Sequence, residues 1–130
     1  MARRDDGGVG ARFGDWLRRR REKIQMPLRV FAARSGLDPG NLSKYERGVL
    51  PAPQDAGTLG RIARALGLKK GSVEEQEFRD LASASAGRIP PDLANDPAVL
   101  ARMPLLFRTA RKGKLTRDQL IRLAERLKKI

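Results

Sequence analysis

The chain has no cysteine and no histidine in its 130 residues. Their absence excludes disulfides, Cys/His zinc sites, Cys or Ser–His nucleophilic machinery and imidazole acid–base chemistry. Aromatic residues are scarce, 5% against 40% apolar overall, so composition predicts a core built from Leu, Ile, Val and Ala. No apolar run approaches the roughly 18 residues of a membrane span. The opening MARRDDGGVG carries charge without an apolar stretch behind it, unlike a signal peptide. Strand alternation, internal repeats and long heptads are missing too. The expectation is an all-helical, cytoplasmic protein with no cofactor and no metal.

What the chain does have is positive charge. The formal net charge is +13 and the sequence pI is near 11.3. Such an excess favours polyanionic partners, because Lys and Arg at phosphates release condensed counterions. A basic protein at a membrane surface is the competing explanation. Residues 1–71 hold 16 Lys+Arg against 7 Asp+Glu (+9), and residues 72–130 hold 12 against 8 (+4). The excess therefore lies mainly in the first half. A chain of this length predicts one domain, or one with a small appendage.

Residues 1–11, rich in glycine and charge, read as a disordered basic arm. From Arg12 the pattern turns helical, with Phe13, Trp16, Leu17 and Ile24 at helical spacing and an arginine run over 18–21. Pro27 fits the first turn of a second helix, which carries Val30, Phe31 and Ala33 and should stop at Gly36. Asp38 and Pro39 are cap and first-turn residue for a third helix ending near Gly48. After the Pro-rich loop VLPAPQD, a fourth helix over 56–66 places Leu59, Ile62, Ala63 and Leu66 on one face, with Gly67 as its stop. Ser72 to Glu75 read as a capping box opening a fifth helix with Val73, Phe78 and Leu81. That role explains Glu74 and Glu75 without any catalytic partner set, so the chain reads as a non-enzyme.

Residues 83–97 (SASAGRIPPDLANDP) shift in composition and read as a linker, since paired prolines argue against helix. Beyond it, Asp96 and Pro97 cap a short helix interrupted at Pro104, and residues 111–114 look like a turn. Thr116 to Gln119 form a second capping box, opening a final helix with Leu120, Leu123, Ala124, Leu127 and Ile130 on one face. The domain reading is an arm (1–11), a helical domain (12–82), a linker (83–97) and a helical C-terminal region (98–130).

Residues 31–48, FAARSGLDPGNLSKYERG, are the most informative stretch. Two short helical patterns meet at a tight turn, and the second is packed with small and polar side chains, as a helix lying in the major groove requires. Ala32 is small where helices cross, Gly36 relieves the turn, and Leu37 and Leu42 bury the inner side. Together with Tyr45, Glu46, Arg47 and Gly48, and with Ala65-Leu66-Gly67-Leu68 closing the fourth helix, residues 13–70 resemble the helix-turn-helix domain of the Xre/Cro–C1 repressor family. The resemblance implies a five-helix lambda-repressor-like fold that binds double-stranded DNA as a repressor.

In that docking mode the start of the recognition helix faces base edges. Asn41 is placed to pair with adenine, Ser43 and Lys44 to reach bases or phosphates, and Gly40 to admit the DNA backbone closely. Arg47 ends the same helix on the DNA side. The glutamine that clamps a phosphate in many family members is here Leu28, so Arg29 is the candidate substitute. Asp38 reads as the cap rather than as a reader. Trp16 and Phe31 read as core, and Glu46 as the partner of an arginine in the first helix.

The tail supplies more apolar surface than two helices bury on themselves. Leu100, Met103, Leu106, Phe107, Leu120, Leu123 and Leu127 are the candidate dimerisation residues, consistent with a homodimer on a palindromic operator whose half-sites lie about 34 Å apart or a multiple of that. The tail also resembles those of short repressors paired with ImmA/IrrE-type zinc metallopeptidases. That likeness implies a cleavage segment at Leu105, Leu106, Phe107, Arg108 and Thr109, and a role in phage defence, mobile-element control or the DNA-damage response. Two alternatives stay open: an autoregulating antitoxin with a toxin protein as partner, and a non-specific nucleic-acid binder.

Overall fold

The computed structural model describes residues 9–112, 116–119, 121 and 122. Their architecture is all-α, with α1 (Val9–Lys23), α2 (Leu28–Ser35), α3 (Pro39–Glu46), α4 (Ala56–Ala65), α5 (Val73–Ser85), α6 (Pro91–Ala94) and α7 (Pro97–Arg111). Residues 117–119, 121 and 122 are helical as well. The chain divides into two compact units, one ending at Pro90 and one beginning at Pro91.

In the first unit α1 packs on α5 and α3, α2 packs on α4 and α3, and α4 touches α5. Phe13 and Leu17, four apart on α1, are fully buried, as are Phe31, Leu42, Ile62 and Phe78. Phe13 and Trp16 both lie against Phe78, with ring centroids 5.8 and 5.7 Å apart. The composition-based expectation of an aliphatic core is thus corrected. Three phenylalanines fill its centre, because a few large rings reach across a small helical unit where short aliphatic side chains would leave voids.

Other expectations shift by a turn or a face. Helix α1 begins at Val9, three residues before the expected Arg12; Val9 sits four before Phe13, so the helical spacing extends upstream. Residues 1–8 of the expected arm lie outside the described residues. Ile24 falls beyond the end of α1 and is exposed, as are Val30 and Ala33 on α2 and Val73 on α5. At the exit of α1, Gln25 takes a left-handed φ of 56°, a place glycine usually fills. Pro27 is the N-cap of α2 rather than a residue of its first turn, with ψ at 150°.

Caps set the other boundaries. Asp55 Oδ2 accepts from the Thr58 N–H and hydroxyl, at 2.9 and 2.7 Å. Ser72 Oγ accepts from the Glu75 N–H at 3.1 Å, but the Glu75 carboxylate reaches the Gly71 N–H (2.8 Å), one residue before the position a reciprocal box would use. The box at Thr116 and Gln119 is reciprocal, with bonds of 2.8 and 3.1 Å.

The expected linker 83–97 is largely structured. Ser83 is buried within α5, and Ser85 Oγ accepts from the Ala52 N–H (2.9 Å), tying the VLPAPQD loop to that helix. Pro91 and Pro97 each open a helix, where a missing N–H is tolerated. Helix α7 then runs through Pro104 without the expected interruption. Proline removes one backbone bond there, to the Leu100 carbonyl, and the turns on either side remain formed.

Candidate nucleic-acid interface

The candidate interface consists of α2, its turn and α3. Helix α2 ends at Gly36 with φ 71°, and the Leu37 N–H returns to the Ala32 carbonyl at 2.9 Å. Arg61 of α4 caps the same end, its Nε donating to the Ser35 carbonyl at 3.0 Å. The Ser35 hydroxyl, fully buried, turns back to the Phe31 carbonyl at 2.7 Å. Two residues after Gly36, Asp38 opens α3: its Oδ2 accepts from the Asn41 N–H at 3.1 Å, and Pro39 occupies the first turn. Asp38 is the cap, as its sequence position suggested.

Helix α3 is pressed against α1. A Cβ at Gly14 would overlap the carbonyl oxygens of Tyr45 and Glu46, so the close crossing depends on glycine there. Beside it, Arg21 and Glu46 form a bidentate pair: Nε to Oε2 is 2.7 Å and Nη2 to Oε1 is 2.9 Å, with side chains 13% and 6% exposed. Arg21 Nη1 also donates to the Met26 carbonyl at 3.0 Å. The Glu46 hydrogen bonds push the Arg21 pKa further up, keeping the cation charged throughout. Two charges satisfied this fully lock α3 at its C-terminal end.

The other face of α3 points outward. Gly40, Asn41, Lys44 and Arg47 are exposed, while Ser43 is half-buried and its hydroxyl accepts from Arg47 Nε at 3.2 Å. A Cβ at Gly40 would lie 2.9 Å from Asp38 Oδ2, so glycine leaves room for the cap carboxylate. Arg29 is exposed in the first turn of α2, whereas Leu28 packs against the core and so cannot serve as a phosphate clamp. Arg29, Arg34, Lys44 and Arg47 form no ion pair with a carboxylate among the described residues. Helices α2 and α3 therefore carry four exposed cations without a carboxylate partner among the described residues, together with the exposed Asn41.

The arginine run at 18–21 is divided, since successive helical positions turn by about 100°. Arg21 points inward to Glu46, Arg20 Nη1 reaches Glu74 at 3.2 Å, and Arg18 lies 3.9 Å from Asp15. Sequence reading missed Gly14, Ser35, Arg61 and Gln54, whose Nε2 donates to the carbonyls of Ala52 and Ala82 at 2.9 Å each. Only Gly14 left a signal, a glycine inside an otherwise strong helical pattern.

The second unit carries the proposed dimerisation residues. Leu100, Leu106 and Phe107 are exposed on α7 and Met103 is half-buried, while Leu120, Leu123 and Leu127 lie outside the described residues. The segment Leu105, Leu106, Phe107, Arg108 and Thr109 sits inside α7, with the Thr109 hydroxyl donating to the Leu105 carbonyl at 2.8 Å. Residues 113 and 114 of the expected turn also fall outside.

Against known proteins, the family profile described as "Helix-turn-helix domain" matches residues 12–76, half of the chain. No curated protein matches. Among solved structures, the clp gene regulator ClgR from C. glutamicum is similar, with 27% identity over 59% of this chain and 91% of that one, at a TM-score of 0.45.

Proposed function

Since the chain belongs to the helix-turn-helix domain family, we propose that it is a sequence-specific transcriptional repressor. It binds a palindromic operator as a homodimer joined through residues 98–130. One observation carries the reading. A short, capped α3, clamped from behind by Gly14 and the Arg21–Glu46 pair, turns Gly40, Asn41, Lys44 and Arg47 outward beside unpaired arginines. Helices of this kind enter the major groove by their N-terminal end. Asn41 then reads a base edge, while Arg29, Lys44 and Arg47, the last held by Ser43, meet phosphates.

A single such unit buries little DNA surface, and two linked units gain the effective concentration of the second contact. Exposed Leu105, Leu106 and Phe107, following the backbone bond lost at Pro104, favour control by cleavage within residues 105–109. A cut there separates the two DNA-binding units and affinity falls.

Selection from random duplexes, followed by equilibrium binding at physiological salt, tests the proposal. The expected product is an inverted repeat binding two chains with a strong preference over random DNA. A chain truncated after Ala86 should stay folded and monomeric and bind that site weakly. Equal affinity for all duplexes, or a truncated chain that still dimerises, refutes it.

A further inference from the structure

Two open helix faces of opposite charge stand out, one in each unit. On α5, Val73, Gln76, Glu77, Asp80, Leu81 and Ala84 line a shallow groove, with Leu81 at its edge packed against the core. Val73 is 85% exposed, although it lies on the same helix as fully buried Phe78 and Ala82. The acidic residues at this groove form no ion pair among the described residues, although Glu77 also borders Arg19, Arg20 and Lys23 of α1. Asp80 Oδ1 accepts only from Gln76 Nε2 (3.0 Å), and Glu77 pairs with no cation among the described residues. Glu74 and Glu75, by contrast, are taken by Arg20 and Arg79.

Helix α7 is the complement. Leu106, Met103, Phe107 and Leu100 fall within one arc at helical spacing, with Arg102 on one flank and Arg108 and Arg111 on the other. The helix contains no acidic residue. In a chain of net charge +13, an acid-edged apolar groove and an arginine-edged apolar ridge are matched surfaces.

We propose that the α5 groove of one chain receives the α7 ridge of a second copy, with Glu77 and Asp80 facing Arg102 and Arg108. This rests on the homodimer proposed above and names its interface. A two-fold axis makes the contact twice, α5 to α7 and α7 to α5. Making the contact twice doubles the area it buries toward the ~800 Å² per partner of a standard interface.

Sedimentation equilibrium of the full chain tests the pairing. A double variant, Glu77→Lys with Asp80→Lys, should weaken homodimerisation roughly tenfold, and so should Arg102→Glu with Arg108→Glu. Mixed one to one, the two variants should form a heterodimer of wild-type affinity, because both of its contacts again join opposite charges. An α5 variant that dimerises like the wild type overturns the proposal while leaving the homodimer standing. A monomeric wild type removes both. In this cysteine-free chain, oxidising a mixture of Ala84→Cys and Leu106→Cys chains should give the mixed disulfide. Leu106–Leu106-type self-links alone, or no link between chains, refute it.

Discussion

The two units contain similar ingredients and end in different states. Both are helical, and both open their helices with side-chain caps: Asp38, Asp55 and Ser72 in the first, Asp96 in the second. The first buries Phe13, Phe31 and Phe78 completely, whereas α6 and α7 bury no residue and leave Leu93, Leu100, Leu105, Leu106 and Phe107 exposed. Local signals suffice to make a helix in either place. A core needs partners from elsewhere in the chain, and in the first unit α1 supplies them by meeting both α3 and α5. A 15-residue helix with an interior proline is marginal alone in water. In the homodimer proposed above, the exposed apolar residues of α7 are the surface that assembly covers.

The largest effect expected is a pair of identical substitutions that behave differently. Phe78→Ala removes the ring shared by Phe13 and Trp16 and should lower unfolding free energy by about 3–5 kcal/mol in urea titrations. Phe107→Ala should leave the first unit's transition unchanged and alter only the concentration dependence of assembly. Equal losses from both would mean that the tail belongs to the same core.

Glu46→Ala comes next. It strands the Arg21 guanidinium, 13% exposed, without its carboxylate, for an expected loss of about 3 kcal/mol. Operator binding should fall with it, because the same pair holds the end of α3. Asn41→Ala is smaller and more selective. It should weaken operator binding by about 1–3 kcal/mol with little change on random DNA or in stability. An equal loss on both duplexes would assign Asn41 to the backbone rather than to a base.

Much of the first unit was legible in the sequence because its signals are local. Asp38, Gly36 and Gly67 mark turns and caps by residue type alone, and residues 31–48 carry the pattern of two helices around a tight turn. The clamp behind α3 was legible only in part: Glu46 pointed to the first helix, but not to Arg21 among four consecutive arginines. Gly14, Arg61 and Gln54 act on residues 26 to 32 positions away, where no local pattern reaches. Val73, Phe78 and Leu81 were the apolar residues read on α5, but which of them is buried depends on the side of the helix that α1 covers. The same limit applied to the prolines: residue type alone did not show that Pro91 opens a helix or that α7 runs through Pro104.

The smallest expected effect lies in the caps of the first unit. Glu75 has its pKa lowered, chiefly by the Gly71 N–H and further by Arg79, opposed by partial burial. Asp55 is lowered by the Thr58 hydroxyl and N–H. A carboxylate whose folded pKa lies below its unfolded value of about 4 stabilises the fold above that value. The contribution is lost as pH falls through the folded value. Thermal unfolding of the wild-type chain should therefore decline on the acid side of about pH 4. Glu75→Gln should lower stability near neutrality by about 0.5–1 kcal/mol and flatten that acid decline, since the amide cannot be protonated there. If Glu75→Gln declines as steeply as the wild type, the acid limb comes from other carboxylates, and the α5 cap acts by geometry rather than by charge.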